Sequence, residues 1–94
     1  MQETESHRND ISDLDVIQRI FEDEITNYEI TTTENLWDNE EDMIYRAFTF
    51  NRGIKNHQVV ITPECHIKAH TDKIPTSLIV EISNILTCCL YGKK

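Results

Sequence analysis

From Ile11 onward the apolar residues Leu14, Ile17, Phe21, Ile25 and Tyr28 recur at steps of three and four, the spacing that lines one face of a helix. With Asn9, Asp10 or Ser12 available to cap its start, this pattern predicts a helix over about residues 12–28. The β-branched run Ile30 to Thr33 breaks the pattern, and Thr33 followed by Glu34 can open a short second helix or turn through Trp37 to Asp42. The period then changes to two. Ile44, Arg46, Phe48 and Phe50 alternate with Tyr45, Ala47 and Thr49, which predicts a strand. Asn51 to Asn56 supplies Gly53 for a turn, and His57 to Thr62 reads as the returning strand, ended by Pro63 because proline cannot continue a ladder. Cys65 to His70 gives a third strand with alternating faces. After a connection at Asp72 to Pro75, Thr76 or Ser77 can cap a last helix whose Leu78, Ile79, Ile82, Ile85, Leu86 and Cys89 make a wide apolar face. Gly92 closes that helix, with Lys93 and Lys94 near its negative end.

These elements predict an α+β fold: a small three-stranded antiparallel sheet, a meander, with an N-terminal acidic helix and a C-terminal apolar-faced helix packed on it. Residues 1–10 (MQETESHRND) carry too little apolar surface to offset the entropy of ordering them and are expected to be disordered, leaving residues 11–94 as a single domain. A chain of 94 residues buries only about 60 to 65% of its unfolded surface, so the core is modest and a dimer interface would help it. No apolar run approaches the length of a membrane span, and the polar start lacks the segments of a signal peptide. Cys65, Cys88 and Cys89 are odd in number, and the adjacent pair has poor geometry for a disulfide framework. Reduced thiols in a cytoplasm are the expectation.

Charge changes the picture more than composition does. Residues 1–42 hold fourteen Asp or Glu against Arg8 and Arg19, a local net of −12, whereas residues 43–94 hold three acids against seven Lys or Arg, a net of +4. On the first helix, Glu22, Asp23, Glu24 and Glu29 are expected near the negative end of the dipole, where each costs roughly a few tenths of a kcal/mol. A partner would explain acid placed there.

Candidate chemistry is sparse. Cys65, His66 and His70, with His57 on the neighbouring strand, are the residue types zinc takes, but strand alternation puts Cys65 on the opposite face from His66 and His70, and the spacing matches no common zinc motif. Half-exposed strand residues are the plainer reading. Cys88 and Cys89 could respond to oxidants if exposed, or serve as small core residues on the most apolar helix. Two glycines cannot build a nucleotide loop, so no cofactor is expected, and nothing suggests desolvated carboxylates or a nucleophile beside a base. Arg46, Arg52, Lys55, Lys68 and Lys73 with Tyr45, Phe48 and Phe50 could form a basic aromatic face for nucleic acid. The acidic half would repel the same phosphates, so these cations are expected to balance acid instead, with no direct nucleic-acid or membrane binding.

The expected function is therefore a non-enzymatic acidic interaction protein, a candidate DNA mimic whose carboxylates occupy the basic surface of a nucleic-acid-handling protein. The residues expected to carry it are Glu22, Asp23, Glu24, Glu34, Trp37, Asp38, Glu40, Glu41 and Asp42, with Trp37 as the aromatic anchor. The chain resembles small acidic inhibitors encoded by phages and mobile elements in size and charge alone. An acidic face that only confers solubility is the alternative use of the same residues. A homodimeric scaffold assembling through the last helix is the second reading, and a metal-binding protein using His57, His66 and His70 is the third.

Overall fold

A computed structural model of the protein describes residues 8–33 and 35–92, with the side chains of residues 10–33 and 35–90. The chain order is α1 (Arg8–Glu24), β1 (Glu29–Thr32), β2 (Leu36–Asp38), β3 (Met43–Arg52), β4 (Lys55–Ile61), β5 (Ile67–His70) and α2 (Thr76–Gly92). The fold is α+β with an antiparallel sheet, as expected, but the sheet has five strands and not three. Its path is β1-β3-β4-β5, and β2 also pairs with β3.

Of the two additional strands, β1 lies in the β-branched run expected to break the helical pattern, and β2 lies where a short helix or turn was expected. β1 pairs Glu29–Thr32 with Asn51–Phe48, and β2 pairs Leu36–Asp38 with Tyr45–Met43. Both pair antiparallel with β3, and the register differs by one residue between Thr32↔Phe48 and Leu36↔Tyr45. Thr33 does not cap a helix. Its backbone N–H donates to the Ala47 carbonyl at 3.0 Å, and its hydroxyl accepts the Ala47 N–H at 3.2 Å. β-Branched threonines fit a pleated surface better than a helix, which is why Glu29–Thr32 pairs instead of coiling.

The central hairpin follows the period of two. β3 and β4 meet in register from Arg46↔Ile61 to Arg52↔Lys55, leaving Gly53 and Ile54 as a two-residue loop. Gly53 has φ +64°, the glycine-favouring first position of a II′ turn, whose twist matches the strands it joins. The β4–β5 connection holds a correction. Cys65 and His66 lie in the loop, not in the strand, because the Thr62 carbonyl accepts the Cys65 N–H at 3.0 Å and Cys65 takes φ +70°. That turn swings the Cys65 side chain inward, where it is 7% exposed.

α1 begins at Arg8 and ends at Glu24, earlier at both ends than the expected 12–28. Residues 8–10 of the segment expected to be disordered form its first turn, and residues 1–7 lie outside the described residues. The β-branched Ile25 and Thr26 follow the last helical residue, and the chain bends at Asn27 and Tyr28 into β1. Leu14, Ile17, Phe21 and Ile25 are nonetheless all buried. Phe21 meets Phe48 and Phe50 edge to face at ring separations of 5.2 and 5.7 Å, the arrangement aromatic quadrupoles favour. α2 contributes Leu78, Ile82, Ile85 and Leu86 to the same cluster as Phe48, Val59 and Ile61. Its first backbone bond runs from the Ile79 N–H to the Pro75 carbonyl, one residue ahead of the expected caps at Thr76 or Ser77. Lys93 and Lys94, expected near its negative end, lie outside the described residues. Both helices thus cover the sheet face carrying Phe48, Phe50, Val59 and Ile61, while the opposite face carries Ala47, Val60 and Ala69 in one cross-strand row. Among the described residues no helix is long and apolar enough to cross a membrane.

Candidate functional site

The residue that ties the acidic helix to the sheet is Arg46. Alternation along β3 places it in line with Phe48 and Phe50 on the helix-covered face, and it is only 6% exposed. A buried guanidinium requires partners around its whole fork. Nε and Nη2 donate to Asn35 Oδ1 at 3.0 and 2.6 Å, while Nη1 donates to Gln18 Oε1 at 2.9 Å and lies 2.9 Å from Asp15 Oδ1. One side chain therefore joins α1 to Asn35, just ahead of β2. Among the described residues no buried side-chain nitrogen or oxygen lacks a partner.

A second cation works at the far end of the sheet. Lys68 Nζ lies 3.3 Å from Asp38 Oδ2 and 3.6 Å from Glu41 Oε1, and it stands 5.6 Å over the Tyr45 ring. Asp38 Oδ1 also accepts the backbone N–H groups of Glu40 and Glu41 at 2.9 and 3.2 Å, closing the β2–β3 turn. The Glu41 N–H, then Lys68 and the Glu40 N–H, hold the Asp38 carboxyl below its ordinary value, and Asp38 in turn raises Lys68. Arg46 and Lys68 balance acid, as the sequence suggested, and Phe48 and Phe50 are core residues, so the candidate basic aromatic face does not assemble.

The expected partner-binding acids fall into two groups. Arg46 holds Asp15 and Gln18 while Phe21 reaches Phe48 and Phe50, so α1 runs in the same direction as β3. Glu22, Asp23 and Glu24, all exposed, therefore lie where β3 ends, and Glu40, Glu41 and Asp42, also exposed, lie where it begins. β3 has ten residues, about 33 Å of strand between the two groups. The structure does not bring them together. Trp37 pairs with Ile44 beside the second group and is 40% exposed, and Glu34 lies outside the described residues.

A groove of about 640 Å³ opens between the two helices. Its floor is formed by the buried Ile17, Ile85 and Cys65, and its walls by Val16 and Ile20 from α1 facing Cys88 and Cys89 from α2. The charged residues among those lining it are Asp13, Glu24 and Glu81, all acidic. No protein-family model matches the chain, and no curated protein or solved structure is significantly similar to it. Surface chemistry alone bears on what the chain does.

The groove was not anticipated from sequence, although Val16 and Ile20, four residues apart beside the core stripe, widen the apolar face of α1 beyond what one sheet contact uses. None of the three cysteines is in a disulfide, and Cys88 is exposed, so it is not the core residue that the apolar character of its helix suggested. Leu78, Ile82 and Ile85 are buried within the one chain, so these three residues supply no exposed face for a dimer through α2, although Val80 and Leu90 of the same helix are exposed. Of the histidines, His57 and His70 sit on the neighbouring strands β4 and β5 as expected, whereas His66 sits in the loop between them, and no group of three or more His, Cys, Asp or Glu is placed to hold a metal among the described residues.

Proposed function

We propose that the chain is a non-enzymatic interaction protein that docks on a basic surface of a nucleic-acid-handling protein, its carboxylates taking the place of phosphates. One observation carries the reading. The last turn of α1 contains Glu22, Asp23 and Glu24 and no basic residue, so three anions face the negative end of a helix dipole, each at a cost of roughly a few tenths of a kcal/mol. The fold gains its ion pairs elsewhere, through Asp15 and Asp38. Acid that opposes its own helix is accounted for by a cationic surface outside the chain.

The α1 end is assigned the docking role in preference to the β2–β3 turn, because Asp38 and Glu41 already hold that turn against Lys68. A net charge of −8 also steers a basic partner toward the surface and makes association sensitive to ionic strength. The test is capture from the native host extract at low salt, elution by a salt gradient and competition by added DNA. Recovery of a nucleic-acid-binding protein that DNA displaces, and that the E22Q/D23N/E24Q variant fails to hold, is the expected outcome. Equal recovery by the neutralised variant would reduce the acid to a solubility device.

A further inference from the structure

We propose that the groove between α1 and α2 seats a cationic amphipathic helix of a partner protein. The proposal rests on the reading that the chain binds a basic partner, and it adds the secondary structure and patterning of what is bound. Three features of the groove converge on this occupant.

The first is apolar surface left in water. Val16 is 46% exposed and Cys88 is exposed above a floor of Ile17, Ile85 and Cys65, and covering such surface yields about 25 cal/mol for each Å² removed from water. The second is the nature of the walls. Both are helices whose backbone groups are spent on their own hydrogen bonds, so an extended segment laid between them would leave its N–H and C=O groups unpaired. A helix satisfies its own backbone and brings only an apolar stripe, which is the helix-in-groove mode of recognition.

The third is charge. Asp13 and Glu24 mark two points on α1 about 16 Å apart along its axis, and Glu81 faces them from α2. Lys or Arg flanking the stripe of an incoming helix would meet these carboxylates as their contacts desolvate. The same charges argue against other occupants. A second copy of the chain would press three carboxylates against three, and residues 1–7 of the chain itself bring Glu3 and Glu5 with no Lys or Arg.

The test uses the full chain and a synthetic peptide of about 17 residues, matched to α1 in length, built of Leu and Lys with Leu at helical i, i+3, i+4 and i+7 spacing. A peptide of identical composition with Leu scattered so that no apolar face forms serves as its control. Fluorescence anisotropy reports affinity, and the rate of Cys88 alkylation by N-ethylmaleimide, located by mass spectrometry, reports coverage of the groove. The patterned peptide is expected to bind at least about tenfold tighter than the scrambled one and to slow Cys88 alkylation, while V16K and E81K each weaken it about tenfold. Both substitutions are at positions outside the buried core, and thermal unfolding checks that each variant keeps the wild-type fold. Equal affinity for the two peptides, lost in E22Q/D23N but unchanged in V16K and E81K, would overturn the groove while leaving the acidic reading intact. Absence of binding by either peptide at low salt would overturn both.

Discussion

Asp15 and Glu24 belong to the same helix, yet the molecule uses their charge in opposite ways. Asp15 lies 2.9 Å from the guanidinium of Arg46 and helps to fasten α1 to the sheet. Glu24 stands exposed in a last turn that holds no basic residue, against the helix dipole, and borders an apolar groove. The same division separates Asp38, spent on the β2–β3 turn and Lys68, from the exposed Asp23, whereas Glu22 keeps one tie to the fold, its Oε2 accepting from Gln18 Nε2 at 3.1 Å. Net charge read along a sequence conceals this partition. One part of the acid is internal structure, and the other is left exposed to solvent.

The comparison breaks most visibly if Arg46 is removed. Arg46→Ala deletes four polar contacts to Asp15, Gln18 and Asn35 and leaves a void beside Phe48, and urea unfolding is expected to show a loss of roughly 3 kcal/mol. Arg46→Lys keeps the charge but not the fork, so it should recover only part of that, leaving a deficit of about 1 to 2 kcal/mol.

The Asp38–Lys68 contact sharpens the comparison through pH. The folded carboxyl of Asp38 titrates below its ordinary value of 3.8, chiefly because the Glu41 N–H bonds to it. Its contribution is complete above that ordinary value and is lost as pH falls through the lowered folded value. Lys68 is shifted upward from 10.5, so its share is present below that value and lost as pH rises through the raised one. The stability difference between wild type and Asp38→Asn should therefore persist at neutral pH and shrink in strong acid. A difference that stayed constant with pH would remove the carboxylate from the account.

The smallest effects on stability are the most informative about function. Val16→Lys, at a half-exposed position, should change stability by no more than about 0.5 kcal/mol while it blocks the groove. Neutralising Glu22, Asp23 and Glu24 together should leave stability unchanged or raise it by a few tenths of a kcal/mol, roughly, because it relieves the dipole.

Periodicity was a sufficient guide wherever one element packs against one core. Leu14, Ile17, Phe21 and Ile25 on α1, Phe48 and Phe50 on β3, and Leu78, Ile82 and Ile85 on α2 are all buried as their spacing implied. β1 and β2 escaped because edge strands such as Glu29–Thr32 and Leu36–Asp38 bury little, with only alternate residues half covered, and so carry a weak pattern of their own. Their pairing is decided by β3. Arg46 was legible in part: the alternation places it with Phe48 and Phe50, and a cation at an inward position requires an acid or amide from another element. Its partners Asn35 and Gln18 are eleven and twenty-eight residues away, beyond what local pattern reports. The groove needed the spacing of two helices at opposite ends of the chain, which no stretch of sequence contains. The opposite placement of Glu22–Glu24 and Glu40–Asp42 likewise follows from helix direction, not from composition.

The central claim is that the acid at the end of α1 serves a partner and not the fold. The most direct measurement is a paired one on E22Q/D23N/E24Q: urea unfolding beside binding of the patterned Leu and Lys peptide at low salt. The account predicts a variant at least as stable as wild type whose binding is weakened by about tenfold or more. A variant destabilised by more than about 1 kcal/mol that still binds like wild type would contradict it, and would return these three carboxylates to the structural side of the division.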